Sequence, residues 1–344
     1  MRNSKPPQQK AKWCGKIYLQ QGFAFDWHYD LLYAASIAMT GIAQAHAILG
    51  DGMGAYATLQ DQFRLKSIAD GFGFSIGALV SQTMEASFWQ TVRMGAALNV
   101  WTAGQLEEFS RQAAESNPVE RARIGLQEEL EAMQYLESRP EILAKNLRDA
   151  AESPDGRSSY ERWVNQLRMR LTTPSQIQDT MSIRGADIAD AIERLDGEAR
   201  RVGPLPDGSR GLLVDFHQQL GWGGEIYFHL LDGQIWTANS RSNGALALDR
   251  AQKAVAFQEE TRLALALESH RLATGSYPDS LDALSSSFSG RPVVDPYTGG
   301  PLRYERGSDG SFKIWSPGPD GRDDGGQRDS DIVTVQPPAV AKTK

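Results

Sequence analysis

The chain has 344 residues and only one cysteine, Cys14. That excludes an intramolecular disulfide framework and any cysteine-rich zinc site. Histidine is also scarce: His28, His46, His217, His229 and His270 are all there are. None forms an HExxH pair, and no G-x-S-x-G nucleophile elbow is present. Gly50, Gly52 and Gly54 follow a helical stretch rather than a strand, so they do not read as a phosphate loop. Basic charge is short as well, with 36 Lys+Arg against 43 Asp+Glu, a formal charge of -7 and a pI near 5.4. A nucleic-acid partner requires clustered Lys and Arg, so none is expected.

Long apolar runs are missing. No window holds the roughly 18 uninterrupted apolar residues of a spanning helix. The nearest, Leu31 to Gly50, contains Ser36, Thr40, Gln44 and His46. Its end, Ala43-Gln44-Ala45 or Ala45-His46-Ala47, resembles a signal-peptidase site, but Asp26, His28 and Asp30 stand where a basic region should be. The segment is therefore expected to be a buried amphipathic helix, and membrane contact is expected only through an anchor upstream.

What is present is apolar material for a core, 40% of the residues, with 23% charged. Residues 1–25 read as a loose tail with Pro6-Pro7 and a Gln/Lys bias. From Asp30 to Val100 there is no proline. Gly50-Asp51-Gly52 should separate two antiparallel helices. Ile68, Phe72, Ile76 and Leu79, then Met84, Phe88 and Val92, recur at helical spacing and are expected on one face. Thr102 with Gln105 fits a capping box, and Asn117 with Pro118 fits a helix start that leads to Ile124, Leu126, Leu130, Met133 and Leu136. Ser153-Pro154-Asp155-Gly156 reads as a turn, and helices are expected over Ser159–Leu171 and Ile183–Arg200. Residues 26–200 thus form an α-helical domain. Residues 201–244 form a Gly- and aromatic-rich connector in which Gly211–Phe216 and Glu225–Leu231 could be short strands. Trp222 and Trp236 there could line a groove.

A long helix is expected from Ala245 to Thr274, with Leu246, Val255, Leu263, Leu267 and Leu272 on its apolar face. Gly275-Ser276-Tyr277-Pro278 ends it. Asp295-Pro296 with Gly299-Gly300 makes a turn before a strand, and Ser308-Asp309-Gly310 joins Leu302–Glu305 to Ser311–Trp315 as a hairpin. The fold class is therefore α+β: a large mainly helical N-terminal domain, then a long helix and a small antiparallel sheet in residues 245–336. Residues 337–344 form a flexible tail.

The loop from Asp320 to Asp331 holds five aspartates and three glycines in twelve residues, against two arginines. Aspartate is a hard oxygen ligand and glycine lets the chain wrap an ion, so Ca2+ is the natural candidate. Counted from Asp320, Asp324, Gly325 and Asp331 fall at EF-hand positions 5, 6 and 12, but Arg322 stands at position 3 and Asp331 replaces the usual Glu.

The ordered pieces HRLATGSYP, Leu281 and Leu284, Asp295-Pro296 with Gly299, Leu302 and Tyr304, Phe312 to Trp315, Ser316-Pro317-Gly318-Pro319-Asp320-Gly321, and Asp329-Ser330-Asp331-Ile332 lie within residues 262–333. This segment resembles the globular part of the major (G-type) pseudopilin of type II secretion systems. The whole chain resembles large bacterial proteins that carry this ending behind a helical N-terminal part. The resemblance implies a calcium loop made by Asp320, Asp329 and Asp331 with the carbonyls of Trp315 or Pro317, and the Asp323-Asp324 pair adds Asp324 as a further ligand. It also implies an extracytoplasmic setting. A working pseudopilin begins with a basic leader, a cleaved glycine and an apolar assembly helix; none precedes Ala245 here, so pilus assembly is not expected. The reading is a non-enzymatic, extracytoplasmic structural or interaction protein, stabilised by calcium, whose protein partner the sequence does not name. Two alternatives stand beside it: a metal-dependent hydrolase using the Asp320–Asp331 cluster with His217 or His229 as partner base, and an intracellular helical scaffold.

Overall fold

The computed structural model describes residues 26–71, 74–139, 141, 174–203, 243–284, 292–328 and 331–338. In chain order its helices are α1 (Asp26–Ile48), α2 (Gly52–Ala69), α3 (Phe74–Ala97), α4 (Ala103–Glu115), α5 (Pro118–Glu137) and α6 (Pro174–Glu193). A two-residue hairpin, β1 (Leu195–Asp196) and β2 (Arg201–Val202), follows. Then come α7 (Asn243–Thr274), a 3-10 turn at Leu281–Leu284, and strands β3 (Arg303–Arg306), β4 (Phe312–Ser316) and β5 (Ile332–Gln336). The last three form an antiparallel sheet in the order β3-β4-β5. A helical N-terminal region, one long helix and a small C-terminal sheet give the α+β arrangement expected.

Local chemistry sets the boundaries. The Thr102 hydroxyl accepts from the Gln105 amide and the Gln105 side chain accepts from the Thr102 amide, a complete capping box at the start of α4. Asn117 Oδ1 accepts from the Glu120 amide at 3.1 Å, with Pro118 in the first position of α5. Asp51 caps α2 through the Gly54 amide, 2.9 Å away. The chain reverses there, because Gln62 of α2 reaches back to the hydroxyls of Ser36 and Thr40 on α1.

Several expectations are corrected. Residues 68–79 do not share one helical face, since α2 ends at Ala69 and α3 starts at Phe74, leaving Ile68 and Ile76 exposed. The Asp70 carboxylate at the break is drawn to Arg121 Nε (2.7 Å) and Lys66 Nζ (3.1 Å). Met84, Phe88 and Val92 are buried as expected. The helix expected over Ile183–Arg200 instead spans Pro174–Glu193, and Leu195 pairs with Val202 around a turn in which Asp196 accepts from the Ala199 amide. Ile124 and Leu272 face outward. The segment Leu31–Ile48 is a helix but not a buried one: only 17% of it is covered, and its mean hydropathy of 1.3 makes it long and apolar enough to cross a membrane. The turn at Ser153–Gly156, the helix over Ser159–Leu171, the strands Gly211–Phe216 and Glu225–Leu231, and Trp222 and Trp236 lie outside the described residues.

The buried apolar residues fall into three clusters. One joins α5, α6 and the hairpin through Val119, Leu126, Met133, Ile188 and Leu195, closed by Leu248, Ala251 and Val255 of α7. The second holds Leu59, Phe88, Trp89, Trp101, Leu106 and Phe109 with Leu265 of α7. Its aromatic rings meet edge to face, Phe88 on Trp89 at 4.6 Å and Trp101 on Phe109 at 5.2 Å between centroids. The third packs Leu263 and Leu267 of α7 against Tyr277, Leu284, Leu302, Phe312 and Ile314. A single helix thus supplies side chains to every cluster.

Candidate functional site

The sheet fixes the acidic loop by holding both its ends. β4 is the central strand, with Trp315 opposite Arg303 on one side and Val333 on the other. The chain leaves β4 through Ser316, Pro317 and Gly318, all buried. The Ser316 hydroxyl donates to Asp295 Oδ1 at 2.7 Å and accepts from the Gly318 amide at 3.1 Å. Asp295 is fully buried and also accepts from the Tyr297 amide (3.1 Å) and the Thr298 hydroxyl (2.6 Å). Its backbone closes the turn by exchanging bonds with Gly299 and Gly300. The Asp-Pro turn therefore braces the root of the loop.

At the far end Asp331 is buried, and its carboxylate gathers the loop around itself. It accepts from the amides of Gly326 (2.7 Å), Gln327 (3.3 Å) and Asp324 (3.5 Å). Gly325 and Gly326 both have positive φ, 73° and 75°, and this is what turns successive amides towards one carboxylate. Asp323 makes the second anchor. It accepts from Trp315 Nε1 and Arg303 Nε, both at 2.8 Å, and from the Gly325 amide at 3.1 Å. The Trp315 bond, then Arg303, then the Gly325 amide hold its carboxyl below the usual carboxylate range. Lys313 Nζ donates to the Gly325 carbonyl at 2.9 Å and stands 4.7 Å from the Trp315 ring centroid.

The ligands expected from the sequence are distributed accordingly. Asp320 is exposed and accepts from the Arg322 amide at 3.0 Å. Asp324 is exposed, Asp331 is buried under backbone amides, and Trp315 and Pro317 are buried at the root. Asp329 lies outside the described residues, as do His217 and His229. Among the described residues, no group of three or more His, Cys, Asp or Glu side chains is gathered for a metal. The residue the sequence reading underrated is Asp323. Its signal is the strand register: Arg303 and Trp315 are direct cross-strand partners, so one carboxylate can bond both.

A second polar constellation joins the sheet to the helical region. Arg93 of α3 lies over the Phe257 ring, 4.4 Å from its centroid, and its carbonyl accepts from Gln336 Nε2 at 3.0 Å. The Thr334 hydroxyl accepts from Arg93 Nη1 and donates to Glu260 Oε2 of α7 at 2.5 Å. Burial raises the Glu260 pKa to about 8; the Thr334 bond and Arg93 oppose the rise, and Asp295 adds to it. Glu260 Oε1 and the Tyr297 hydroxyl are buried with no hydrogen-bond partner among the described residues. Sequence periodicity does not show this contact, because its members lie on α3, α7 and β5.

Residues 245–335 match the family model described as type II secretion system (T2SS), protein G. The match runs from the first turn of α7 through β5 and takes in the acidic loop and Glu260, Asp295 and Thr334. Helices α1 to α6 lie before it. The protein G-like region thus gives the C-terminal part of the chain a secretion-related context. No curated protein and no solved structure matches the chain.

Proposed function

We infer that the chain is a non-enzymatic structural or interaction protein of the cell envelope, outside the cytoplasm, in which a helical domain carries the protein G-like region as an integral part. The observation that carries this reading is the family match over residues 245–335, combined with the docking of that region on α3 through Arg93, Thr334 and Gln336. On this reading it acts by presenting a surface, and its stability outside the cytoplasm comes from a pinned final loop.

Calcium is the proposed pin. Asp320 and Asp324 offer exposed carboxylates at the mouth of the loop, and the carbonyls of Trp315 and Pro317 and the Asp329 carboxylate complete the oxygen set. Asp331 contributes from inside if it exchanges amide bonds for the ion. A bound cation would relieve the repulsion among five carboxylates confined to twelve residues. The test is terbium luminescence sensitised through Trp315, run on the full chain in parallel with melting in calcium and in chelator. Saturable emission displaced by calcium, with a higher melting temperature in calcium, supports the pin; no emission and equal melting temperatures overturn it. Fractionation of cells producing the protein tests the location, and a purely cytoplasmic pool overturns that part.

A further inference from the structure

Strand β5 buries polar side chains where an edge strand ordinarily buries apolar ones. It pairs with β4 alone, and no strand lies on its other edge among the described residues. Its buried positions are Thr334 and Gln336, 7% and 3% exposed, whereas Val335 between them is 46% exposed. None of residues 332–336 belongs to any of the three apolar clusters. The strand meets the helices through hydrogen bonds instead. Arg93 Nη1 donates to the Thr334 hydroxyl at 2.7 Å, Gln336 Nε2 to the Arg93 carbonyl at 3.0 Å, and the Thr334 hydroxyl to Glu260 Oε2 at 2.5 Å.

Glu260 stands at the centre of this clasp. Its side chain is 1% exposed, and Oε1 has no hydrogen-bond partner among the described residues. A buried carboxylate with so few donors is costly when charged and tolerable when neutral. The groups that face it are Arg93 from α3, Asp295 and Tyr297 from the turn before β3, and Thr334 from β5. Arg93 is the one cation among them, and its Nη1 is bonded to Thr334 rather than to the carboxylate. Burial outweighs the Thr334 bond and Arg93, and with Asp295 it raises the carboxyl to about 8.

We propose that Glu260 is a proton-operated catch: neutral, it holds β5 against α3 and α7; ionised, it frees β5 to leave α3 and fray from β4. The rest of the sheet stays in place during this motion, because Leu302, Phe312 and Ile314 pack on Leu263 and Leu267 of α7. An edge strand can open alone, since breaking one ladder and one clasp releases it. Linkage sets the direction. The neutral carboxyl stabilises the docked strand; that contribution is complete below about 4.5, the value in the unfolded chain, and is lost as pH rises to about 8. The catch rests on the docking geometry and is independent of calcium and of cellular location.

The test is hydrogen–deuterium exchange of the full chain, parent beside Glu260→Gln. The two proteins are compared at the same pH, so the pH dependence of intrinsic exchange cancels. From pH 5 to pH 8 the parent-to-variant ratio of rates for residues 332–336 should rise at least about tenfold. At pH 8 the parent's β5 should also exchange at least about tenfold faster than the slowest amides of α4 and α5, through an opening insensitive to low urea. Thr334→Val, which removes the bonds on both sides of the hydroxyl, should exchange fast in β5 at both pH values. If Glu260→Gln does not fold, the parent should approach the Thr334→Val rate as pH rises, and a constant gap between the two overturns the proposal. A flat parent-to-variant ratio in β5 overturns it too. So does exchange of β5 at the rate and urea dependence of the slowest helical amides, because that is unfolding of the whole molecule rather than release of one strand.

Discussion

Arg93 and Thr334 are 241 residues apart in sequence and 2.7 Å apart in space. Through that bond a residue of the helical region reaches the last strand of the protein G-like region, and Thr334 passes the contact on to Glu260. Thr334→Val keeps the shape and removes both bonds. It should lower stability by about 1–3 kcal/mol, the cost of leaving buried polar groups without partners, as measured by chemical denaturation.

Glu260 also gives the protein a pH signature. Its carboxyl, raised by burial to about 8 in the folded state, ionises near 4.5 in the unfolded chain. Between those values the unfolded state binds fewer protons, so stability is greatest below the lower value and falls as pH rises towards the higher one. The charged neighbours that modulate this are Arg93 of α3 and Asp295 of the turn. Melting temperatures of Glu260→Gln across the range should lack that decline; a parallel decline in the variant would assign it to another group.

Glu85 behaves in the opposite sense. Burial pushes its carboxyl up, but Lys66 and Arg121 outweigh burial and hold it at about 2. Arg121 Nη1 is 3.2 Å from its Oε2, Lys66 Nζ is 3.4 Å from the same atom, and Trp89 Nε1 donates to Oε1 at 3.2 Å. Its stabilisation is present above the unfolded carboxylate value and is lost as pH falls through about 2. Glu85→Gln leaves Lys66 buried beside less negative charge. Equilibrium denaturation should register about 3–5 kcal/mol of destabilisation.

Gly95 is required where α3 passes Trp101. A Cβ there would stand 2.2 Å from Trp101 Cζ2, and the indole is held by its Nε1 bond to the Val92 carbonyl at 2.7 Å. Gly95→Ala should cost about 1–3 kcal/mol despite alanine's better helix propensity, and near-ultraviolet dichroism should report the displaced ring.

Asp331→Ala and Asp320→Ala separate loop folding from ion binding. Asp331 serves backbone amides, so its loss should lower the melting temperature even in chelator. Asp320 is exposed and bonds one local amide, so its loss should matter only when calcium is present. Equal effects of Asp320→Ala with and without calcium would remove it from the ligand set.

Much of the fold was legible because its signals are local. Thr102 and Gln105, Asn117 and Pro118, and Ser308-Asp309-Gly310 act on their own neighbours, so spacing alone placed the helix starts and the hairpin. The miss at Ile68–Leu79 has a different origin. Periodicity counts apolar residues and passes over Asp70 and Gly71, where the helix ends and where Asp70 is bonded to Arg121, 51 positions later. The short hairpin at Leu195–Val202 lay behind a helical pattern that its Asp196-Gly197 turn cuts off. In the acidic loop the residue types were visible, but their division of labour was not. Only the strand register shows that Asp323 is tied to Trp315 and Arg303, and only the fold shows that Asp331 faces inwards. The exposure of Leu31, Ile37, Ile42 and Ile48 on α1 was hidden by its composition, which does not say which way a helix turns its apolar residues.

The long helix α7 has a consequence for dissection of the protein. Leu248, Ala251 and Val255 belong to the core formed with α5 and α6, and Leu263 and Leu267 belong to the core under the sheet. Gln258, between these two sets, donates to the carbonyls of Ala113 and Ser116, both at 2.6 Å. A fragment cut at the family boundary would bare a stripe of aliphatic side chains and strand that amide. Calorimetry of the intact chain should therefore show one transition in which sheet and helices melt together, and the excised region should aggregate: the seam visible in the sequence is not a seam in the folded protein.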